Sequence, residues 1–284
     1  MLVAGFLLAG TAMATSQYVN SPFDPSGTDL KQTALGIQST VQLIQRNAVQ
    51  HAGENEMFRA PSVFAEYDYA DSHDRRNGGF DSKGDNGTVG LSFLTAGDVA
   101  MSLMVNYGNA DAENSAGVDS DTENYGITLT ASKSINWFLF GMSASYGEAD
   151  SRIATTTESY SYTLAPFIGA VYTSGNLALS TVPTYMFRRQ DDGATMKDDG
   201  TFVWMNSASY AVSEALTLGL SVNWTHVAHT ERPVGSADRD WLSIGPKVTY
   251  NVSQALSVYA SYTKAVFSST YDSQDFILGM NYSF

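Results

Sequence analysis

Two of the four histidines in this chain fall together, in the stretch NWTHVAHTERP. His226 and His229 stand there close to Ser236, Asp238 and Asp240, a set from which a hydrolase would draw a nucleophile, a base and an orienting carboxylate. The stretch has no nucleophile signature, and polar side chains at a strand end need no catalytic explanation. As a metal pair the two rings are poorly spaced, because on a regular strand positions three apart point to opposite faces. Carboxylates also cluster, at Asp119, Asp121 and Glu123 and at Asp191, Asp192, Asp198 and Asp199. These are hard oxygen ligands, but neither group has the spacing of a calcium loop, and solvated hairpins account for them. GTVGLSFLTAG lacks the lysine and the following helix of a phosphate loop. The expectation is therefore no enzyme: no catalytic residue, no cofactor and no metal.

Composition narrows the classes further. The net charge of −14 excludes a nucleic-acid partner, whose phosphates need a basic surface. Without cysteine there is neither a disulfide framework nor thiol chemistry. Mean hydropathy is −0.15 with 43% hydrophobic residues, between a disordered chain and a helical membrane protein. Sixteen Tyr, 14 Phe and 24 Gly favour strands and turns. The start, MLVAGFLLAGTAMATSQ, has a short apolar core and then Ala12-Met13-Ala14, the small-x-small form of a signal peptidase site, so residues 1–14 read as a signal peptide.

Such residues must be positioned by strands. From residue 61 onward about twelve segments alternate with period two, near 61–71, 87–96, 98–109, 122–133, 136–149, 158–173, 176–189, 200–212, 215–228, 240–252, 255–267 and 272–284. Their length suits tilted strands crossing a bilayer. The connections alternate as well. TAGD, SKSIN, TSGN, VSEA and VSQA are tight turns, and the other six connections are longer and polar. Short turns on one rim and long loops on the other are expected of an outer-membrane barrel, with loops extracellular and both termini periplasmic. In the third segment Val99, Met101, Leu103, Val105 and Tyr107 oppose Ala100, Ser102, Met104, Asn106 and Gly108. One face is apolar and the other small and polar, so lipid takes the first and a lumen the second. Tyr107, Tyr146, Tyr172, Trp224, Tyr250 and Tyr262 sit where aromatic girdles belong. The eighth segment, TFVWMNSASYAV, has apolar residues in both phases and its faces stay unassigned. Pro166, Pro183 and Pro246 fall inside strand patterns and are expected at bulges.

Residues 15–60 differ in kind. Leu30, Ala34, Ile37, Val41, Ile44 and Ala48 recur at spacings of three and four behind Thr28 or Asp29 and before Gly53, which predicts one helix over about 28–52. Its other face is rich in Gln. Such a helix is long enough to traverse a barrel from rim to rim, and Leu30, Ile37, Val41 and Ile44 are the expected lumen-facing contacts. The alternative is a periplasmic helix outside the barrel.

A signal peptide, one amphipathic helix and about twelve strands ending in GMNYSF resemble the translocator domain of autotransporter outer-membrane proteins over residues 28–284. Phe276, Leu278, Met280, Tyr282 and Phe284 resemble the signal by which the barrel assembly machinery recognises its substrates. The resemblance implies an all-β membrane protein, a closed antiparallel barrel of about twelve strands over 61–284 with the helix in its lumen, forming a hydrated, helix-occupied pore. Only about a dozen residues separate the cleavage site from the helix, so no passenger is evident. The implied partners are outer-membrane lipid and lipopolysaccharide and the assembly machinery, with the barrel a monomer. A small-solute porin or surface-structural barrel is the second reading, and an outer-membrane hydrolase the third.

Overall fold

The structure, a computed structural model, describes residues 28–49, 58–74, 80–95, 97–114, 119–152, 156–191, 196–230, 240–267 and 271–284. The expected signal peptide lies outside these residues. One helix, α1 (Thr28–Val49), precedes twelve strands: β1 (Phe58–Asp74), β2 (Phe80–Thr95), β3 (Val99–Asn114), β4 (Asp119–Ile135), β5 (Phe138–Arg152), β6 (Thr156–Ser174), β7 (Leu177–Asp191), β8 (Met196–Ala211), β9 (Leu216–Thr230), β10 (Asp240–Asn251), β11 (Leu256–Val266) and β12 (Tyr271–Ser283). Each strand pairs antiparallel with its chain neighbours. The sheet closes where β1 pairs with β12, from Ser62 opposite Ser283 to Asp74 opposite Tyr271. All twelve expected strands are present.

The short turns show why neighbours pair. Asp98, Asn136 and Gly175 take positive φ of 58°, 57° and 56°, the left-handed conformation that lets a tight hairpin follow the strand twist. The turns of VSEA and VSQA close differently: Ser213 and Ser253 accept through their hydroxyls from the amides of Leu216 and Leu256. The chain end lies on this same rim, since the Ser283 amide donates to Ala255 and that of Phe284 to Pro61.

At the opposite rim the structure departs from the sequence reading. Much of the expected loop over 109–124 is strand, because β3 continues to Asn114 and β4 starts at Asp119, with Glu113 opposite Asp119. β1 and β2 likewise stay paired as far as Asp74 and Phe80. Polar hairpin arms persist beyond the apolar band because backbone pairing and cross-strand contacts continue to satisfy them in water.

Periodicity alone leaves the direction of the faces open, and burial settles it. Leu103, Leu129, Leu218 and Leu278 are 43–48% exposed, whereas Ser102, Thr130, Ser143 and Thr263 are at 0%. A continuous apolar outer surface of this kind belongs in lipid. Aromatic side chains edge it in two belts. In the upper one Tyr107 meets Tyr125 at 5.2 Å between ring centres and Tyr146 meets Tyr162 at 5.3 Å. The lower one includes Tyr172, Tyr210, Tyr250 and Tyr282. Tyr162 and Tyr172 on β6 are ten residues apart, which is roughly 25 Å along the barrel axis at the usual tilt and matches the apolar band of such barrels. No described helix is long and apolar enough to cross a membrane.

Two local expectations are corrected. Pro166, Pro183 and Pro246 cause no register shift; the shifts lie at Arg59/Ser62 and Gly200/Thr201. Pairing lapses on one side instead. The β6–β7 ladder skips from Leu164 to Phe167 at Pro166 and from Phe167 to Ala170 across from Pro183, and the β10–β11 ladder skips from Ile244 to Lys247 at Pro246. A proline without an N–H interrupts one ladder and leaves the other in register. The eighth strand now has faces, with Phe202 and Trp204 outward and Val203 and Met205 inward at 0% exposure. Those two inward apolar residues are exceptions to a polar inner face, and α1 explains them.

Candidate functional site

α1 is the element that most determines what the interior can do. It packs on the inward side chains of β2–β7, and neither of its faces is left to water. Ala34, Ile37, Val41, Leu43 and Ile44 join Leu94, Leu139, Phe167, Val171, Val182, Val203 and Met205 in one buried apolar cluster. The sequence reading of the inner face as uniformly small and polar is therefore corrected. The largest group of apolar inward residues gathers around the helix, where burial against it stabilises them, while Tyr259 and Ile277 form a smaller cluster apart from it. Of the expected lumen contacts, Ile37, Val41 and Ile44 are at 0–5% exposure; the side chain of Leu30 lies outside those described.

The glutamine face is fixed by hydrogen bonds. Gln32 Nε2 donates to Thr88 Oγ1 at 2.9 Å, Thr33 Oγ1 and Ser145 Oγ share a hydrogen at 2.6 Å, Gln38 Nε2 donates to Met205 Sδ at 3.6 Å, and Gln45 Nε2 donates to the carbonyl of Leu179 at 3.2 Å. Buried amides need such partners. Closest approach is at Gly36, where a Cβ would collide with Thr130 Oγ1. That hydroxyl has little freedom to yield, being hydrogen-bonded to Ser143 Oγ at 2.7 Å. On the far side of the helix, between Ser39 and Gln42 and the wall of Phe64, Tyr259 and Asn281, there remains a cavity of about 30 Å³, room for one water.

Charge in the interior is unevenly placed. Among the described residues the inner faces of β2–β6 carry no ionisable carboxylate, ammonium or guanidinium. The inner faces of β1, β10 and β12 carry Glu66, Asp68, Lys247 and Asp275, all at 1–7% exposure. Arg188 on β7 stands opposite Asp199 on β8. Tyr259 organises the first group: its hydroxyl donates to Glu66 Oε2 at 2.8 Å, and Lys247 Nζ lies 3.7 Å from its ring centre. To reach Glu66 the ring crosses Gly279, where any Cβ would strike it. This contact from β11 to β1 spans the closing strand and so ties the seam from within.

The candidate catalytic residues end elsewhere. The bulge at Gly200/Thr201 puts His229 opposite Gly200 while His226 stays opposite Phe202, so both rings are on the outer side. This corrects the expectation of opposite faces, since an extra residue resets the alternation. They serve different carboxylates: His226 Nδ1 is 2.8 Å from Asp240 Oδ1, with its ring stacked 5.8 Å from Trp224, while His229 acts electrostatically on Asp198. Ser236 and Asp238 lie outside the described residues. Among those described no three His, Cys, Asp or Glu side chains are grouped to hold a metal. Asp198 is engaged by Arg189 through two bonds of 2.7 and 2.8 Å. Those bonds hold its carboxyl below the usual range, with the Arg189 and His229 charges adding to the effect and partial desolvation opposing it. His73–Asp81 and Lys264–Asp272 are further ion pairs across the long hairpins.

The expected assembly signal forms the outer face of β12. Phe276, Leu278, Met280 and Tyr282 are 43–51% exposed and Phe284 is 75% exposed. The Tyr282 and Phe284 rings meet edge-on at 5.0 Å.

Comparison with known proteins fits this geometry. The translocator domain of the autotransporter NalP from Neisseria meningitidis superposes with a TM-score of 0.66 at 15% identity, over 96% of this chain and all of that one. The beta domain of the Bordetella autotransporter BrkA gives 0.65 at 14% identity, over 79% of this chain and all of that one. An outer membrane channel from Pseudomonas putida gives 0.59 at 12% identity, over 82% and 99%. At such identities the likeness is one of fold, and the fold is the autotransporter-type outer-membrane barrel. No curated protein matches the sequence. The family model for Gram-negative porins does match it, over residues 5–270, and it is to the Gram-negative porin family, with an outer-membrane location, that this chain belongs.

Proposed function

We propose that this protein is a narrow outer-membrane channel whose pore is occupied by its own helix α1. Membership of the porin family supports a channel; the autotransporter-type fold supports a helix inside it. The observation that carries the reading is the fit of α1 to one wall, with Gly36 against Thr130 and a gap of about 30 Å³ on the other side. The cavity that remains beside the helix has room for about one water. The small-solute porin reading and the translocator reading thus meet in one molecule.

In this proposal the short turns and both chain ends face the periplasm and the long hairpins face outside, in lipid and lipopolysaccharide, as a monomer exported by the signal peptide at 1–14. The outer face of β12, Phe276 to Phe284, is read by the barrel assembly machinery. Planar-bilayer recording tests the pore: the full chain should show small, steady conductance, and Gly36→Phe, which wedges the helix from β4, should raise it several-fold. Equal, large conductance in both forms would refute the helix as the restriction. Removal of Phe284 should lower the amount of folded barrel recovered from the membrane; an unchanged yield would refute the assembly role.

A further inference from the structure

A groove of about 570 Å³ lies on the outer wall of β6–β9, on the side of the long hairpins. Its depth comes from one missing side chain. Gly200 on β8 stands between Phe187 on β7 and His229 on β9, its partners in the two ladders, and the Tyr185 phenol lies across it where any Cβ would strike. The lining changes along the barrel axis. In the lower part Leu164 and Phe187 stand opposite each other at 47% and 54% exposure, and the Tyr185 ring packs 4.5 Å from that of Phe187. One step higher, Tyr162 of the upper aromatic belt is opposite Arg189, which is opposite Asp198. The groove therefore crosses the level at which hydrocarbon gives way to head groups, and it fits a molecule with an acyl chain below and a polar head above.

The polar end selects the head. Arg189 donates to Asp198 from Nε and Nη2 at 2.7 and 2.8 Å, which locks the two groups edge to edge. Both are open to the outside, at 58% and 47% side-chain exposure. The pair presents donors and acceptors side by side. A hydroxyl is donor and acceptor at once, so a head rich in hydroxyls matches it, whereas a bare phosphate would meet the Asp198 carboxylate. The Tyr162 hydroxyl and the His229 ring add groups of the same double character at the edge of the groove. The flat rings of Tyr162 and Phe187 offer the apolar face of a sugar a surface to lie on.

Resting on the orientation with the long hairpins outside, we propose that this groove holds one molecule of lipopolysaccharide, the sugar-headed lipid of the outer leaflet. One acyl chain lies on Leu164, Tyr185 and Phe187, and hydroxyls of the sugar head bond Arg189, Asp198 and His229. The site is separate from the lumen, because all of these side chains are on the outer side of the wall.

Native mass spectrometry of the full chain refolded in detergent tests the site, with deep-rough lipopolysaccharide as the probe. One molecule should stay bound per barrel, and an excess of phosphatidylethanolamine should not displace it. Leu164→Trp, which fills the apolar end, and Arg189→Gln with Asp198→Asn, which removes the locked pair, should each weaken binding by about tenfold. Leu129→Trp, on the outer face of β4 and away from the groove, should leave it unchanged. Equal binding in all these forms, or displacement by phosphatidylethanolamine, would overturn the inference. If the double variant gives no compact form on unheated gels, Leu164→Trp carries the test, and undiminished binding to it counts against the site. The orientation is read separately, from Met196→Cys at the start of β8, a position 64% exposed. A membrane-impermeant maleimide should label it on intact cells; absence of label, with lipopolysaccharide still bound in detergent, would refute the orientation and not the groove.

Discussion

The two halves of the inner wall solve one problem in different ways. On β2–β6 the inward residues are neutral; hydroxyls pair across strands, as Thr128 with Ser145 and Thr130 with Ser143, and the helix closes over them. On β10–β12 and β1 the inward residues include Glu66, Asp68, Lys247 and Asp275, and Tyr259 rather than α1 lies over them. A neutral wall can be packed against a helix because a hydroxyl is satisfied by one short bond, as these four are. A charged wall needs polar or charged partners around its ions as well, as Tyr259 provides for Glu66. The helix therefore belongs to the first half.

The contrast can be broken most strongly at Gly36. Gly36→Phe should free the helix from the neutral wall and raise bilayer conductance several-fold; unchanged conductance would mean that the close contact there does not hold the helix in place. Next is the apolar contact beneath the helix. Ile37→Ala opens a cavity worth about 2–4 kcal/mol, to be read as a lower urea midpoint for helix release followed by proteolysis. Gly279→Ala probes the charged half, because its methyl meets the Tyr259 ring, and should cost about 1–3 kcal/mol of barrel stability through overpacking. Tyr259→Phe should cost about 1–3 kcal/mol as well, by leaving the Glu66 carboxylate buried without its phenol donor, and should lower the temperature at which the compact form is lost on gels.

The smallest effect lies at the rim, outside both halves. The folded Asp198 carboxyl titrates below its unfolded value because of Arg189. Its contribution is therefore present above the unfolded carboxylate range and disappears as pH falls through the lower folded value. Arg189→Gln should lower the melting temperature slightly near neutrality, and the difference from the parent should close as pH falls below about 4. For an exposed pair the difference is small.

Much of this was legible in the chain. Val99 to Tyr107 alternate at period two and Ala34 to Ile44 recur at three and four, so strands and helix could be placed by neighbours a few residues apart. The prolines and the long hairpins were misjudged for a related reason: whether a ladder skips a pair or continues into water depends on the partner strand. The face of His229 was wrong by one bulge, which no local pattern marks.

By itself the sequence determined the number of strands, their alternation of short and long connections, the helix and the division of each strand into an apolar and a polar face, because each is written in periodicity or in turn residues. Only the closed barrel decided which inward residues meet. Glu66 and Tyr259 are 193 positions apart and Gln38 and Met205 are 167 apart, and no period links them. Register and closure bring them together, and with them the division of the interior into a neutral wall under the helix and a charged one beside it.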